Sequence, residues 1–181
     1  MKKISLLLLT TVLLFACKTS QKAVAVPQSS VSNITIEGKL FSVAFMQRAA
    51  EYSALCFQAY NIARQRVDES LMMETSRPRA IITDIDETLL DNSTEEVHQG
   101  LLGKGFDPVE WTHWTSLAIA DTVPGALTFF KFAASKGVEI FYVTNREEKE
   151  REGTLKNLEK FNFPYSDNEH LILKQDVSSK E

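Results

Sequence analysis

Ile81-Ile82-Thr83-Asp84-Ile85-Asp86-Glu87-Thr88-Leu89-Leu90 runs from apolar residues into two aspartates one residue apart, with a threonine two positions further on. Ala80 to Ile82 are apolar without alternation, as in a strand of a parallel sheet covered on both faces. The carboxylates fall where that strand must leave the sheet, and open α/β sheets bind ligands at such carboxyl ends. Strand side chains alternate, so the spacing predicts Asp84 and Asp86 on one face and Ile85 on the other. Two carboxylates held this close repel unless they share a cation or a proton. Mg²⁺ fits the pair, being a hard ion that takes one or two carboxylates together with substrate phosphate. A solvated acidic turn after a strand is the plainer alternative, because Asp is common in turns.

A second segment shifts the balance. Gly137-Val138-Glu139-Ile140-Phe141-Tyr142-Val143-Thr144-Asn145-Arg146 reads as another buried strand that ends in a hydroxyl and an amide, with an arginine directly after. Neutral donors followed by a helix N-terminus are what a phosphate oxygen needs, and Thr144 or Asn145 can equally cap a helix starting near Arg146. His170 to Lys174 reads as a third strand. Between the strands lie helical patterns at Pro124 to Lys136, with Leu127, Phe130 and Ala134 in register, and at Arg146 to Phe161, with Leu155, Leu158 and Phe161 inward. From Leu40 to Arg66 the positions Phe41, Phe45, Tyr52, Leu55, Cys56, Ala59 and Ile62 keep a helical period, predicting one long helix or two packed on the core. Alternating strands and helices imply an α/β fold, a three-layer sandwich around a parallel sheet.

Ile85-Asp86-Glu87-Thr88 and Phe141 to Arg146, with Leu171 to Glu181, Val123-Pro124-Gly125-Ala126, the Trp111 and Trp114 pair and the leader described below, resemble the haloacid dehalogenase superfamily. Within it they resemble the bacterial class C acid phosphatases, which are outer-membrane lipoproteins. The resemblance implies a HAD-like Rossmann sheet with an N-terminal helical segment and a small cap. It implies two-step phosphoryl transfer, in which Asp84 is the nucleophile and Asp86 the general acid and then base. Thr144 and Asn145 would hold the phosphoryl oxygens, with Mg²⁺ on Asp84 and Asp86 and a lysine from Ser178-Ser179-Lys180 stabilising the charge. Thr88 reads as a support for the loop, and Glu87 as solvated or standing behind the reacting groups. Lys174 is the rival to Lys180 and reads more plainly as a solvated strand end. Phe106 is the candidate for stacking on a nucleobase. Trp111 and Trp114, three apart on a helix, read as core, and His113 as surface. The family continues past this point with a Gly-Asp-Asn-like motif that supplies further metal-binding aspartates, so a chain ending at Glu181 is expected to be a C-terminally truncated form with weak Mg²⁺ binding and little activity.

The N-terminus reads as an export signal. Met1-Lys2-Lys3 is basic, Ile4 to Ala16 is apolar but too short to span a bilayer, and Leu14-Phe15-Ala16-Cys17 resembles a lipobox. Acylation of Cys17 would tether the protein lastingly to the outer membrane, outside the cytoplasm. Residues 1–16 are then the signal peptide, 17–33 the lipidated cysteine and a flexible linker beginning at Lys18, and 34–181 one domain. Removing residues 1–16 leaves 18 basic against 24 acidic residues, a net −6, with no basic patch for a nucleic-acid duplex. A hydrophobic content of 44% suffices for one core. With Cys17 acylated, Cys56 has no partner and reads as a small buried residue. Asp91 to Gly105 is a polar loop or short helix suited to a lid. The expected partner is a small phosphomonoester, a nucleoside 5′-monophosphate fitting best, with phosphotransfer to another alcohol as a neighbouring chemistry. From another class, the alternative is a lipid-anchored binding protein for a phosphorylated ligand or haem.

Overall fold

The computed structural model describes residues 28–174, with side chains from residue 38 onward. Helix α1 (Gln28–Arg48) takes in the end of the expected linker, so Gln28 to Asn33 are helical. Backbone at Ala49 (φ −83°, ψ 124°) separates it from α2 (Ala50–Leu71), and the long periodic stretch is two helices. There follow β1 (Ala80–Thr83), β2 (Leu90–Asp91), α3 (Ser93–Leu101), α4 (Pro108–Leu117), β3 (Asp121–Thr122), α5 (Ala126–Ser135) and β4 (Glu139–Val143). A 3₁₀ turn (Glu148–Glu150), α6 (Arg151–Lys160) and β5 (Leu171–Ile172) complete the order. The fold is α/β.

Strands β1, β4 and β5 make a parallel sheet in that order, with Ala80 opposite Glu139 and Tyr142 opposite Leu171. A second, antiparallel pair of β2 and β3 was not legible in the sequence. The core joins Ile140 and Tyr142 of β4 to Phe129, Phe130 and Ala133 of α5, Trp114 of α4 and Leu158 of α6. Tyr60 of α2 packs against Phe129 and Phe130 at ring distances of 5.5 and 6.2 Å. Helix α1 lies against α3 through the Lys39–Glu96 ion pair at 3.2 Å and Gln47 donating to Ser93.

Several expectations are corrected here. Ile82, read as part of a strand covered on both faces, is 75% exposed, because among the described residues β1 pairs only with β4 and nothing covers that side of Ile82. Phe41 (78% exposed), Phe45, Leu55, Ala59 and Ile62 also face outward, whereas Val43 and Val67 are the buried positions of the two helices. Of the periodic positions, Tyr52 and Cys56 are the partly buried ones, so the stripe that packs is only partly the one the period marks. Cys56 is partly buried against the core as a free thiol. The third helix of the sheet region begins later than Arg146: Glu147 caps the 3₁₀ turn in a reciprocal box with Glu150, so neither Thr144 nor Asn145 is the cap.

His170 stands just before β5 and links it to neighbouring elements. Its Nδ1 lies 2.7 Å from the Asp167 carboxylate and its Nε2 3.1 Å from that of Glu139 in β4, while Phe141 and Tyr165 flank the ring. The hydrogen bond to Asp167, with that to Glu139 and the charges of both, raises the His170 pKa above the ordinary 6.5. A raised folded pKa means that protonation favours the folded state. The stabilisation is full below the ordinary value and fades as pH rises through the raised one. Thermal melts at acid and alkaline pH should therefore show wild type more stable than His170→Gln in acid, the gap closing in alkali. A gap that is independent of pH would refute the linkage.

Candidate active site

The loop after β1 is fixed from beneath. Ile85, Leu89 and Leu90 are each fully buried, each contributing about 2 kcal/mol by removal of apolar surface from water. The Ile85 carbonyl accepts from the N–H groups of Thr88, Leu89 and Leu90, and the Glu87 N–H donates back to Leu90. Tyr60 Oη donates to the Thr88 carbonyl and ties the loop to α2. Glu87 adopts φ 54°, a conformation L residues rarely take, which turns the chain sharply just past Asp86. Buried Ile85 thus separates the two aspartates, as alternation predicts.

The two carboxylates have different surroundings. Asp84 is exposed; its Oδ1 accepts from the Ile85 N–H at 2.7 Å, and Oδ2 has no hydrogen-bond partner among the described residues. Asp86 is held. Its Oδ1 accepts from Arg146 Nη2 at 2.6 Å, from Arg146 Nε at 3.2 Å and from Asn92 Nδ2 at 2.9 Å, and its Oδ2 from Arg146 Nε at 3.2 Å. Arg146 is itself buried and donates Nη1 to Thr154 Oγ1. A planar guanidinium gripping a carboxylate fixes direction as well as charge. Burial pushes the neighbouring Glu87 carboxyl up, the Asn92 hydrogen bond pulls it down, and the charge of Asp86 raises it again.

Asp86, Asn145 and Phe106 come together on one cavity of about 390 Å³, which Trp111, Arg146, Lys149 and Lys174 also line. One wall is aromatic: the Phe106 and Trp111 rings lie 6.1 Å apart. The Arg146 guanidinium sits 5.7 Å from the Trp111 ring centre, within cation–π range. Glu147 and Glu150 line the cavity as well, Lys149 pairing with Glu147 at 2.8 Å, so it offers three cations beside three carboxylates, an amide and an apolar face. Thr144 does not line it; it is buried, and its hydroxyl accepts from the Arg146 N–H at 3.2 Å, leaving its own proton to donate. Asp84 is outside this lining. Lys180 and Cys17 lie outside the described residues.

Two residues do more than the sequence reading gave them. Trp111 packs against the core beside Trp114, as expected, but is only partly buried and also forms the cavity wall; Trp114 is core. Lys174, set aside as a solvated strand end, is exposed but lines the same cavity, its N–H bonded to the Arg146 carbonyl. His113 is exposed as expected. Arg146 and Asn92 are the residues that sequence reasoning left without a role. An arginine directly after a phosphate-binding pair at a strand end was a usable signal for the first. Nothing in the sequence pointed to Asn92.

Comparison with known proteins agrees with this geometry. A family described as HAD superfamily, subfamily IIIB (acid phosphatase) matches residues 2–181, and the chain belongs to it. The class C acid phosphatase of Bacillus anthracis is 37% identical with a TM-score of 0.75, aligned over 79% of this chain and 60% of that one. The same enzyme with tungstate bound aligns over 80% and 60%, again at 37% identity and a TM-score of 0.75. Acid phosphatase 1 of Solanum lycopersicum is 33% identical over 95 residues, 51% of this chain and 36% of that protein. The chain thus spans between about a third and three fifths of the length of these relatives.

Proposed function

We propose that the full-length protein is a Mg²⁺-dependent phosphomonoesterase that hydrolyses nucleoside 5′-monophosphates or similar small phosphate esters through an aspartyl-phosphate on Asp84. The observation that carries this reading is the cavity in which the clamped Asp86 carboxylate meets Asn145, an aromatic wall and Arg146, Lys149 and Lys174, with Glu147 and Glu150 at its edge, at the carboxyl ends of parallel strands, with exposed Asp84 two residues away. Membership of an acid phosphatase family supports the reaction class. The tungstate held by the Bacillus anthracis relative is a tetrahedral oxyanion, the shape of the group transferred.

Asp84 has the uncommitted oxygen a nucleophile needs, while Asp86 is directed by Arg146 towards the leaving group. Asn145, Lys149 and Lys174 would hold the phosphoryl oxygens, joined by Thr144 and by Lys180. Phe106 and Trp111 would carry the nucleobase. Mg²⁺ would be held by the Asp84 oxygen that does not attack and by the Asp86 backbone carbonyl, and would neutralise the transferring phosphoryl group. That oxygen donor set suits a hard ion that completes its shell with water and substrate. An acylated Cys17 would place the domain on the outer membrane, outside the cytoplasm; no described helix is long and apolar enough to cross a membrane.

Release of inorganic phosphate from a nucleoside 5′-monophosphate tests the proposal. We expect turnover that stops on chelation and returns with Mg²⁺. Tight substrate binding with no release, in the presence of Mg²⁺, would favour a binding protein instead.

A further inference from the structure

Asp84 leads into the turn from Ile85 to Leu90 and Asp86 stands within it, and two neighbouring carbonyls of that turn are taken by different elements. The Leu89 carbonyl accepts from the Val123 N–H at 2.9 Å, and the Thr88 carbonyl from Tyr60 Oη of α2. No backbone N–H among the described residues reaches the Thr88 carbonyl, so the phenol is its partner. One short segment serves both bonds. Gly125, two residues past Val123, has φ 89°, and a Cβ there would stand 3.1 Å from Tyr60 Cδ2 and from Phe57 Cδ1. Its missing side chain lets the Tyr60 ring lie against the start of α5, where it packs on Phe129 and Phe130. Wedging the ring sets its side-chain torsions, and with them the place of the hydroxyl.

We propose that Tyr60 is a positioning residue for the reaction: its hydroxyl holds the turn that carries the two aspartates in register with the cavity, so that α2 acts on turnover from outside the site. The inference rests on the roles proposed for Asp84 and Asp86 and adds to them a helix that lines no part of the cavity. The turn is stiff within itself, since the Ile85 carbonyl accepts from three N–H groups and the Glu87 N–H donates to Leu90. A stiff turn moves as one body, and its ties to the rest of the molecule decide where it stands. Buried Ile85, Leu89 and Leu90 keep it on the core, but apolar burial is non-directional and resists sliding weakly. Arg146 and Asn92 hold it through the Asp86 carboxylate, whereas Val123 and Tyr60 hold its backbone. Asp84 depends on the backbone ties most, because its side chain bonds only the adjacent Ile85 N–H among the described residues. Tyr60 and Thr88 both line a second cavity of about 590 Å³ between α2, α5 and the edge of β1. Without the hydroxyl, water there can satisfy the Thr88 carbonyl but cannot join it to α2. Loss of the bond should therefore register in turnover more than in stability.

The test compares Tyr60→Phe with Tyr142→Phe in the full-length protein, with Mg²⁺ and a nucleoside 5′-monophosphate. Each variant keeps the ring and removes a hydroxyl that donates to a backbone carbonyl, but Tyr142 ties Pro164, on the connection between α6 and β5. A misplacement of about 1 Å costs about a hundredfold, and loss of one of several ties should lower kcat about tenfold. KM should change by under about twofold, because Phe106, Trp111, Asn145, Lys149 and Lys174 all stand on other elements. Tyr142→Phe should lower the melting temperature by a similar amount and leave kcat unchanged. The Val123 N–H, which bonds the next carbonyl of the turn, should exchange with solvent faster in Tyr60→Phe alone. An unchanged kcat, a KM that rises as far as kcat falls, an equal loss of kcat in Tyr142→Phe, or unchanged exchange at Val123 would each overturn the proposal. Turnover surviving in Asp84→Asn would instead overturn the reaction assignment beneath it, while the exchange comparison would still read the tether, so the two failures can be told apart.

Discussion

Asp84→Asn in the full-length protein is expected to lower phosphate release by roughly 10⁴-fold or more, because removing a nucleophile eliminates the covalent route and leaves only binding and charge stabilisation. The fold should be untouched: the only hydrogen bond of the Asp84 side chain among the described residues is to the adjacent Ile85 N–H, which an asparagine oxygen also accepts. Asp86→Asn should behave differently in both respects. With the acid and base gone, turnover falls about 10³-fold, within the usual range for general acid–base groups. An ester with a good leaving group still phosphorylates Asp84, so a phosphoenzyme accumulates and is found by mass spectrometry of acid-quenched protein. Stability also falls, by about 2 kcal/mol, since the Arg146 guanidinium is left buried opposite a neutral amide. A stable, inactive Asp84→Asn beside a less stable Asp86→Asn that traps phosphate is the paired result that establishes the two roles. Substantial turnover in Asp84→Asn would end the covalent mechanism.

What the sequence made legible was the part written in contiguous residues. Asp84, Asp86, Thr144 and Asn145 stand at the ends of apolar strands, and strand ends can be read locally; β1 and β4 pair in parallel as that reading required. The helices were found but not their faces. Val43 is buried while Phe41 and Phe45 are exposed, since which stripe packs depends on where α3 and α5 lie, not on hydrophobicity alone. The supporting shell of the site was legible least. Asn92 and Trp114 meet across 22 residues, and Arg146 reaches Asp86 across 60. No local pattern encodes such a meeting. The cavity shared by Lys174 and Trp111 was illegible for the same reason: each has an ordinary local explanation, an exposed strand end and a core contact, that holds in the structure, and only the fold joins them.

The remaining large effect concerns the seam between α4 and α6. Gly153 is buried in the first turns of α6, and a Cβ there would lie 2.9 Å from both Ser116 Cα and the Thr115 carbonyl carbon, and closer still to the Thr115 oxygen. All three are backbone atoms, so no side chain can rotate away. Helix propensity alone favours Gly153→Ala by about 1 kcal/mol. The clash outweighs it: forcing one helix backbone off another costs about 3 kcal/mol or more, for a net loss of about 2 kcal/mol and a fall in melting temperature of roughly 6 °C. The same seam is held by the Thr115 hydroxyl donating to buried Glu150 at 3.1 Å and by Asn157 bonding both the N–H and the carbonyl of Ala120. These bonds resist any tilt that would relieve the contact. Because α4 carries Trp111 on the cavity wall and Trp114 on Asn92, whatever displacement does occur reaches the site directly. Thermal melts of Gly153→Ala, paired with phosphate release at a temperature where it remains folded, should therefore show stability and activity falling together. A melting temperature that rises, as propensity alone dictates, would mean that α4 and α6 do not meet at this glycine.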